Sequence, residues 1–293
     1  MNDVNDKTLR EYLRALDHMK GFFQGLLDQE IKLAKKPKSK EDYLLEFTEL
    51  KDMIRSGGWP LAVPEGSIVD NEESKIARAR YIIDDVIMEP MKGLRFLDYG
   101  CGEGHVVDAA GAVEVAVGYD TKEDNWDEKS GLLTTNKENI KLHGPYDIVL
   151  LYDVLDHEDS PVELLRELKK HMKPKARMYV RCHPWSSRHA THIYKEANFA
   201  YIHLVCTEEE LIKLGYSSKK TQKLVQPLKS YKNWFTKAGF SILEETPIIE
   251  PPEPFFSLKG MITRRIAENF WTEKQGLPKQ QMELQFVDYV LTQ

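Results

Sequence analysis

Three cysteines in 293 residues (Cys101, Cys182 and Cys206), none in C-x-x-C spacing, give no disulfide framework and no thiolate zinc site. No apolar run approaches the roughly 20 residues that a membrane span requires. The opening stretch MNDVNDKTLR lacks the basic-then-apolar order of a secretory signal. These absences point to a cytoplasmic protein with reduced thiols and no membrane partner. Internal repeats and low-complexity tracts are missing as well. So are two nucleotide-binding signatures: the G-x-G-x-x-G of dinucleotide enzymes and the Gly-Lys-Ser/Thr of phosphate loops. What remains, 41% hydrophobic and 30% charged residues, is the composition of a globular chain.

The net charge of −6 is distributed unevenly. Between Leu168 and Leu243 there are fifteen Lys/Arg against four acids, a local +11 that leaves −17 elsewhere. Such a segment suits an anionic partner, or is an ordinary solvated lysine-rich surface.

The N-terminal third reads as helical. Leu9, Leu13, Leu16, Phe23, Leu27 and Ile31 recur at three- and four-residue steps over 7–34. A second amphipathic stretch, EDYLLEFTELKDMIRS (41–56), stops at Gly57-Gly58 and Pro60, and a third helix spans 70–87 with Asp70 or Asn71 as N-cap. From residue 94 short apolar runs alternate with helices: LRFLDYG, VEVAVGYD, GLLTTN, YDIVLLYD and ARMYVRCH are strand candidates. Strands follow around SILEETPII and SLKGMITRR, and Ser160 and Pro161 open a helix that Pro174 closes. The pattern implies an α/β fold: a doubly wound, mostly parallel seven-stranded sheet with helices on both faces, preceded by an N-terminal helical region. The expected division is 1–70 as a helical extension or lid, 71–266 as the main domain with a basic insert at 184–230, and 267–293 as a C-terminal extension.

One stretch carries the chemistry. In FLDYGCGEGHVVDAA (96–110) an apolar strand ends in Asp98 and then supplies Gly100, Gly102 and Gly104. Glycines there admit positive φ and let a ligand touch the backbone. An acid at the entrance is unsuited to phosphate and suits an ammonium or sulfonium group. The next strand ends in Asp120, where a carboxylate either caps a helix or accepts both hydroxyls of a ribose.

Taken in order, these motifs resemble the core of class I S-adenosylmethionine-dependent methyltransferases over roughly residues 75–265. LDYGCGEG is similar to their first motif, VGYD to their ribose-binding acid, TTNKENI to the segment before the adenine pocket. YDIVLLYDVLDHEDSPVELLRELKKHMKP resembles their fourth strand and following helix, and KAGFSILEE the step into their sixth strand. The resemblance implies a cofactor site made of Asp98, Tyr99, Gly100, Cys101, Gly102, Gly104, Asp120, Thr121, Asn136 and Tyr152. In it Asp98 sits near the cofactor's amino group, Asp120 holds the ribose, and Asn136 faces the adenine amine in place of the usual acid.

The acceptor side is less determined. DVLDH (153–157) has neither the Asn/Asp-Pro-Pro-aromatic box of amino-N-methylases nor the Pro-Cys of cytosine C5 methylases, and EPPEPFF (250–256) reads as a proline-stiffened loop. The acid-x-x-acid-His spacing resembles the metal site of small-RNA 2′-O-methyltransferases and ubiquinone-pathway O-methyltransferases. That implies Asp153, Asp156, His157 and His183 around a divalent cation such as Mg²⁺, with His189 and His192 nearby. Without a metal, Asp153, His157 and His183 are the catalytic candidates, since an imidazole serves as a general base near neutrality. The basic window with Trp185, Tyr194, Phe199, Tyr201 and Trp234 suggests RNA or a nucleotide as the anionic acceptor. The alternatives are a small-molecule O- or N-methyltransferase and a non-catalytic or protein-directed member of the fold.

Overall fold

The computed structural model describes residues 40–63, 71–123, 126, 131–190, 192–216, 226–249 and 284–293. The helix expected over 7–34, the loop at 250–256 and the strand expected around SLKGMITRR lie outside them. No helix among the described residues is long and apolar enough to cross a membrane.

Seven strands form one sheet: β1 (Arg95–Tyr99), β2 (Val115–Tyr119), β3 (Leu132–Thr134), β4 (Tyr146–Tyr152), β5 (Met172–Cys182), β6 (Ser241–Ile249) and β7 (Leu284–Thr292). Their spatial order is β3-β2-β1-β4-β5-β7-β6, and only the pairings of β7, with β5 and with β6, are antiparallel. Helices α1 (Lys40–Arg55) and α2 (Glu72–Tyr81) precede β1, and α2 runs into a π-helical turn at Ile82–Ile87. Between strands lie α3 (His105–Ala109), α4 (Lys137–His143) and α5 (Pro161–Lys170). The helices α6 (Ile202–Val205), α7 (Glu208–Lys213) and α8 (Leu228–Ala238) follow β5.

The continuous apolar runs of β4 and β5 need cover on both faces, because alternate side chains leave a strand in opposite directions. Val149, Leu151, Met178 and Val180 enter a core shared with Leu164, Leu165, Leu168, Tyr231 and Phe235 from α5 and α8. Ile148, Leu150 and Tyr179 enter another with Ile82, Ile83 and Ile87 from the turn after α2. Full burial of such an aliphatic side chain contributes about 1.5–3 kcal/mol, so a one-residue slip of β4 would invert two cores at once.

Local signals hold in detail with three differences. Asn71 caps α2, its side chain accepting from Ser74 N at 2.8 Å. Ser160 precedes α5 without a side-chain capping bond. Pro174 lies beyond the end of α5 as expected but already inside β5, where the β4–β5 pairing shifts between Tyr146 and Ile148. Finally, residues 284–292, set apart above in a C-terminal extension, are strand β7 between β5 and β6. Their alternation buries Val287, Tyr289 and Leu291 in the main core. A strand thirty-odd residues from its sheet partner leaves only this period-2 pattern as a local signal.

A separate hydrophobic cluster joins α1 and the segment after β5. Leu50, Ile54 and Trp59 pack with Trp185, Ile193, Ile202, Leu204 and Leu211. Trp59 Nε1 donates to Ala200 O at 2.9 Å, and Ala200 N donates to Pro60 O at 2.8 Å. The N-terminal helix and the post-β5 insert thus form one cap above the carboxyl ends of β4 and β5.

Candidate active site

Strand order reverses between β1 and β4, the position where open α/β sheets bind ligands. The loop after β1 is pinned there by backbone bonds. Gly100 N and Cys101 N donate to Tyr119 O at 2.7 and 3.0 Å, and Gly102 N donates to Asp120 Oδ2 at 2.9 Å. Gly100 has φ +88°, and a Cβ on it would lie 2.4 Å from Val154 Cγ2; at Gly104 (φ +79°) the clash is with Leu133 Cδ1 at 2.5 Å. Both conformation and space demand glycine. The loop therefore presents bare backbone next to Asp98, which is buried at the end of β1. Burial pushes the Asp98 carboxyl up to about 7, Arg78 pulls it down, and the Asp120 charge adds to the rise.

The residues expected to hold a cofactor divide into three groups. Asp98, Gly100, Gly102, Gly104, Asp120 and Thr121 form one continuous rim, with Thr121 N donating to Asp120 Oδ1 at 2.7 Å. Tyr99, Cys101 and Tyr152 are buried. The Tyr99 ring sits 4.7 Å from that of Tyr119, so only its backbone belongs to the loop, whereas the Tyr152 hydroxyl is sealed from solvent without a hydrogen-bond partner. Asn136 stands apart: its side chain caps α4, accepting from Glu138 N at 3.0 Å. Sequence reasoning missed Trp126, whose Nε1 donates to Gly102 O at 2.7 Å across the loop.

Beside the loop is a cavity of about 250 Å³ lined by Arg78, Asp153, Asp156, Arg181, His183, His189, Ala190, Tyr194 and Phe286. Its centre is a dyad. Asp153, at φ +56°, accepts from His183 Nε2 at 2.8 Å through Oδ1 and from Arg78 Nη2 at 2.6 Å through Oδ2. A non-glycine residue held in the left-handed region costs free energy that the fold must offset, and such residues cluster at functional sites. Burial opposes charge on Asp153, yet His183, Arg78 and Arg181 hold its carboxyl well below the usual range. Burial likewise opposes charge on His183, and Asp153 outweighs it, raising the imidazole pKa. With Nε2 committed to the carboxylate, His183 Nδ1 is buried without a hydrogen-bond partner. The neighbouring His189 ring, 5.7 Å away edge-on, is pulled down to about 3 by burial and by the positive charges of His183 and Arg188.

Helix α2 straps this region. Glu72, Lys75 and Arg78 recur every third residue and so share a face. They bond His105 at 2.9 Å, Glu103 at 2.5 Å and Asp153 at 2.6 Å, so the helix grips the loop and the end of β4 together.

The expected metal centre is not assembled. No three of Asp153, Asp156, His157 and His183 bring donor atoms together, and among the described residues only Glu72, Glu103 and His105 do so, where Lys75 already holds Glu103. Asp153 has a cation on each oxygen. The His157 side chain is 39% exposed, 3.9 Å from Asp156 and outside the cavity lining. Of the catalytic candidates, Asp153 and His183 line the cavity and His157 does not. Excess EDTA is accordingly expected to leave methyl transfer unchanged; a rate restored only by added Mg²⁺ would contradict this geometry.

Comparison with known proteins accords with the site. A family model described as a methyltransferase domain matches residues 70–245. The ubiquinone biosynthesis O-methyltransferase of Caulobacter vibrioides is 31% identical over 117 residues, covering 36% of this chain and 46% of the relative. Its namesake from Roseobacter denitrificans is 35% identical over 98 residues, covering 29% and 40%. The chain thus spans less than half the length of these curated relatives. Among solved structures, coclaurine N-methyltransferase bound to N-methylheliamine and S-adenosylhomocysteine overlaps with a TM-score of 0.46 at 14% identity, covering 94% of this chain and 95% of that one. That overlap is too distant to inform the acceptor. The family match runs from the start of α2 into β6 and takes in both the glycine loop and the dyad. The chain therefore belongs to the methyltransferase-domain family, that of the class I S-adenosylmethionine-dependent methyltransferases.

Proposed function

We propose that this enzyme methylates a hydroxyl group of a small molecule held in the cavity beneath the cap. The observation that carries this reading is the Asp153–His183 dyad, whose unpartnered Nδ1 belongs to a cavity residue. The glycine cradle and buried Asp98 suit the aminoacyl end of S-adenosylmethionine, and Asp120 suits its ribose. The cofactor supplies an electrophilic methyl group on a sulfonium, and the transfer is an in-line displacement governed by positioning. His183 takes the hydroxyl proton on Nδ1 as the acceptor oxygen attacks, and Asp153 holds the ring orientation and stabilises the resulting imidazolium. The relatives from Caulobacter vibrioides and Roseobacter denitrificans both carry the name O-methyltransferase, which agrees with a hydroxyl acceptor.

The RNA reading loses its support at the level of side chains. Trp185 and Tyr201 are buried in the cap, Phe199 and Trp234 pack against cores, and Tyr194 lines the cavity. Five of the fifteen Lys/Arg of the basic window are in ion pairs: Lys173 with Asp147, Lys170 with Glu167, Lys232 with Glu245, Arg177 with Glu89 and Arg181 with Asp288. Incubation with tritiated S-adenosylmethionine and separated metabolite, RNA and protein pools tests the proposal. Label is expected in the metabolites; label confined to RNA would overturn it.

Asp98 gives the cofactor reading its own test. Below pH 7 its carboxyl takes up a proton and loses its attraction for an ammonium group. S-adenosylhomocysteine affinity, measured by calorimetry, is expected to rise between pH 6 and pH 8 in the wild type and to stay flat in Asp98→Asn. Because folding raises this pKa from 3.8, the proton is bound more tightly in the folded state. The group therefore makes the ligand-free protein progressively less stable as pH rises from about 4 through 7.

A further inference from the structure

We infer that Arg181 is the specificity-determining residue of the acceptor cavity and anchors a carboxylate on the molecule to be methylated. This rests on the small-molecule reading above and narrows it. Arg181 is the second-last residue of β5, and His183 follows directly after the strand's end; both line the cavity. Arg181 does so although it is 7% exposed.

Its guanidinium is held on three sides. Nε and Nη2 each donate to Asp288 of β7 at 2.8 Å, a two-pronged pair set by the direct register of Arg181 with Asp288. The plane is clasped between aromatic rings, with Cζ 3.6 Å from the Phe286 centroid and 4.5 Å from that of Tyr152. Nη1 has no hydrogen-bond partner among the described residues. A buried guanidinium so immobilised keeps an unused donor edge, and its orientation is already fixed before a ligand arrives.

The surrounding charges leave that edge available. Asp288 is engaged by Arg181, and Asp153 by His183 and Arg78. An incoming oxyanion therefore meets a donor edge beside two carboxylates that are already paired. The planar donors of Arg match a planar carboxylate better than a single-atom acceptor, and a charge-assisted bond is roughly twice as strong as a neutral one. The ring of Phe286 and the side chain of Tyr194 also border the cavity and suit an aromatic frame. The chemical class is thus a small aromatic hydroxy acid, with its hydroxyl serving His183 and its carboxylate Arg181.

Calorimetry with a panel of hydroxybenzoates and hydroxycinnamates tests this in the protein saturated with S-adenosylhomocysteine, each acid against its own primary amide. At least one acid is expected to bind about tenfold or more tightly than its amide. Arg181→Met alone risks misfolding by stranding Asp288, so the test variant is Arg181→Met/Asp288→Leu, which removes both charges. Its thermal unfolding and S-adenosylhomocysteine affinity report that the fold is kept, and the preference for the acid is expected to fall to about one. Amides binding as well as acids in the wild type, no acid binding at all, or an undiminished preference in the double variant would each overturn the proposal. Methyl transfer to neutral phenols without any acid preference would overturn the anchor alone. Transfer confined to RNA would overturn the small-molecule reading with it.

Discussion

Replacement of His183 by Ala is expected to lower kcat by about 10²- to 10⁴-fold, the range a positioned general base supplies. Affinity for S-adenosylhomocysteine should stay near the wild-type value, because His183 lines the cavity, whereas the glycine loop and Asp120 follow β1 and β2. The pH profile separates this role from a packing role. The base must be unprotonated, and Asp153 raises the His183 pKa, so the wild-type rate should fall on an acid limb lying above the ordinary imidazole value of 6.5. In His183→Ala that limb is lost. Asp153→Asn should also be slow, since an amide in place of the carboxylate removes the charge that stabilises the imidazolium. A His183→Ala enzyme with the wild-type rate and pH limb would remove the dyad from the chemistry.

The second large effect concerns stability. Asp288→Ala is expected to destabilise the fold by about 3–5 kcal/mol, the usual cost of stranding one member of a buried ion pair. The side chains of Arg181 and Asp288 are 8% and 12% exposed, so water does little to solvate the guanidinium once the carboxylate is gone. The rings of Phe286 and Tyr152 on its two faces cannot replace the lost acceptor. Urea denaturation monitored by circular dichroism measures the change, and Arg181→Met/Asp288→Leu should recover most of it. A single variant within about 1 kcal/mol of wild type would mean that the cavity floor rearranges to hydrate Arg181.

What the sequence discloses about this site follows from how local each signal is. The glycine loop, Asp98 and Asp120 stand within a strand-turn-helix-strand unit of about twenty-five residues, and their types are dictated by backbone conformation and close approach. That half was readable. Asp153 and His183 were readable as candidates because each ends a recognisable strand. Their pairing at 2.8 Å, which turns a supposed metal ligand set into an acid–imidazole dyad, arises only when β4 and β5 lie side by side. Asn136 follows a strand and precedes a helix, a position that fits a cofactor motif and an N-cap equally well, and the structure shows the cap. Arg78 reaches the cavity from a helix before the domain's first strand, and Asp288 holds the cavity residue Arg181 from its last strand. Neither carries a local mark, and Asp288 becomes meaningful only in register with Arg181. The lysine-rich window misled for the same reason: its partners, such as Asp147, Glu89 and Glu245, lie largely outside it.

Wild-type enzyme and His183→Ala, matched for S-adenosylhomocysteine binding, are incubated with tritiated S-adenosylmethionine and the separated cell-extract pools, and the label is followed into each. The expected result is label in the small-molecule pool with the wild type and a loss of at least about a hundredfold in its initial rate with the variant. Label entering RNA or protein instead, or entering metabolites equally fast with His183→Ala, would contradict a small-acceptor methyltransferase built on the Asp153–His183 pair.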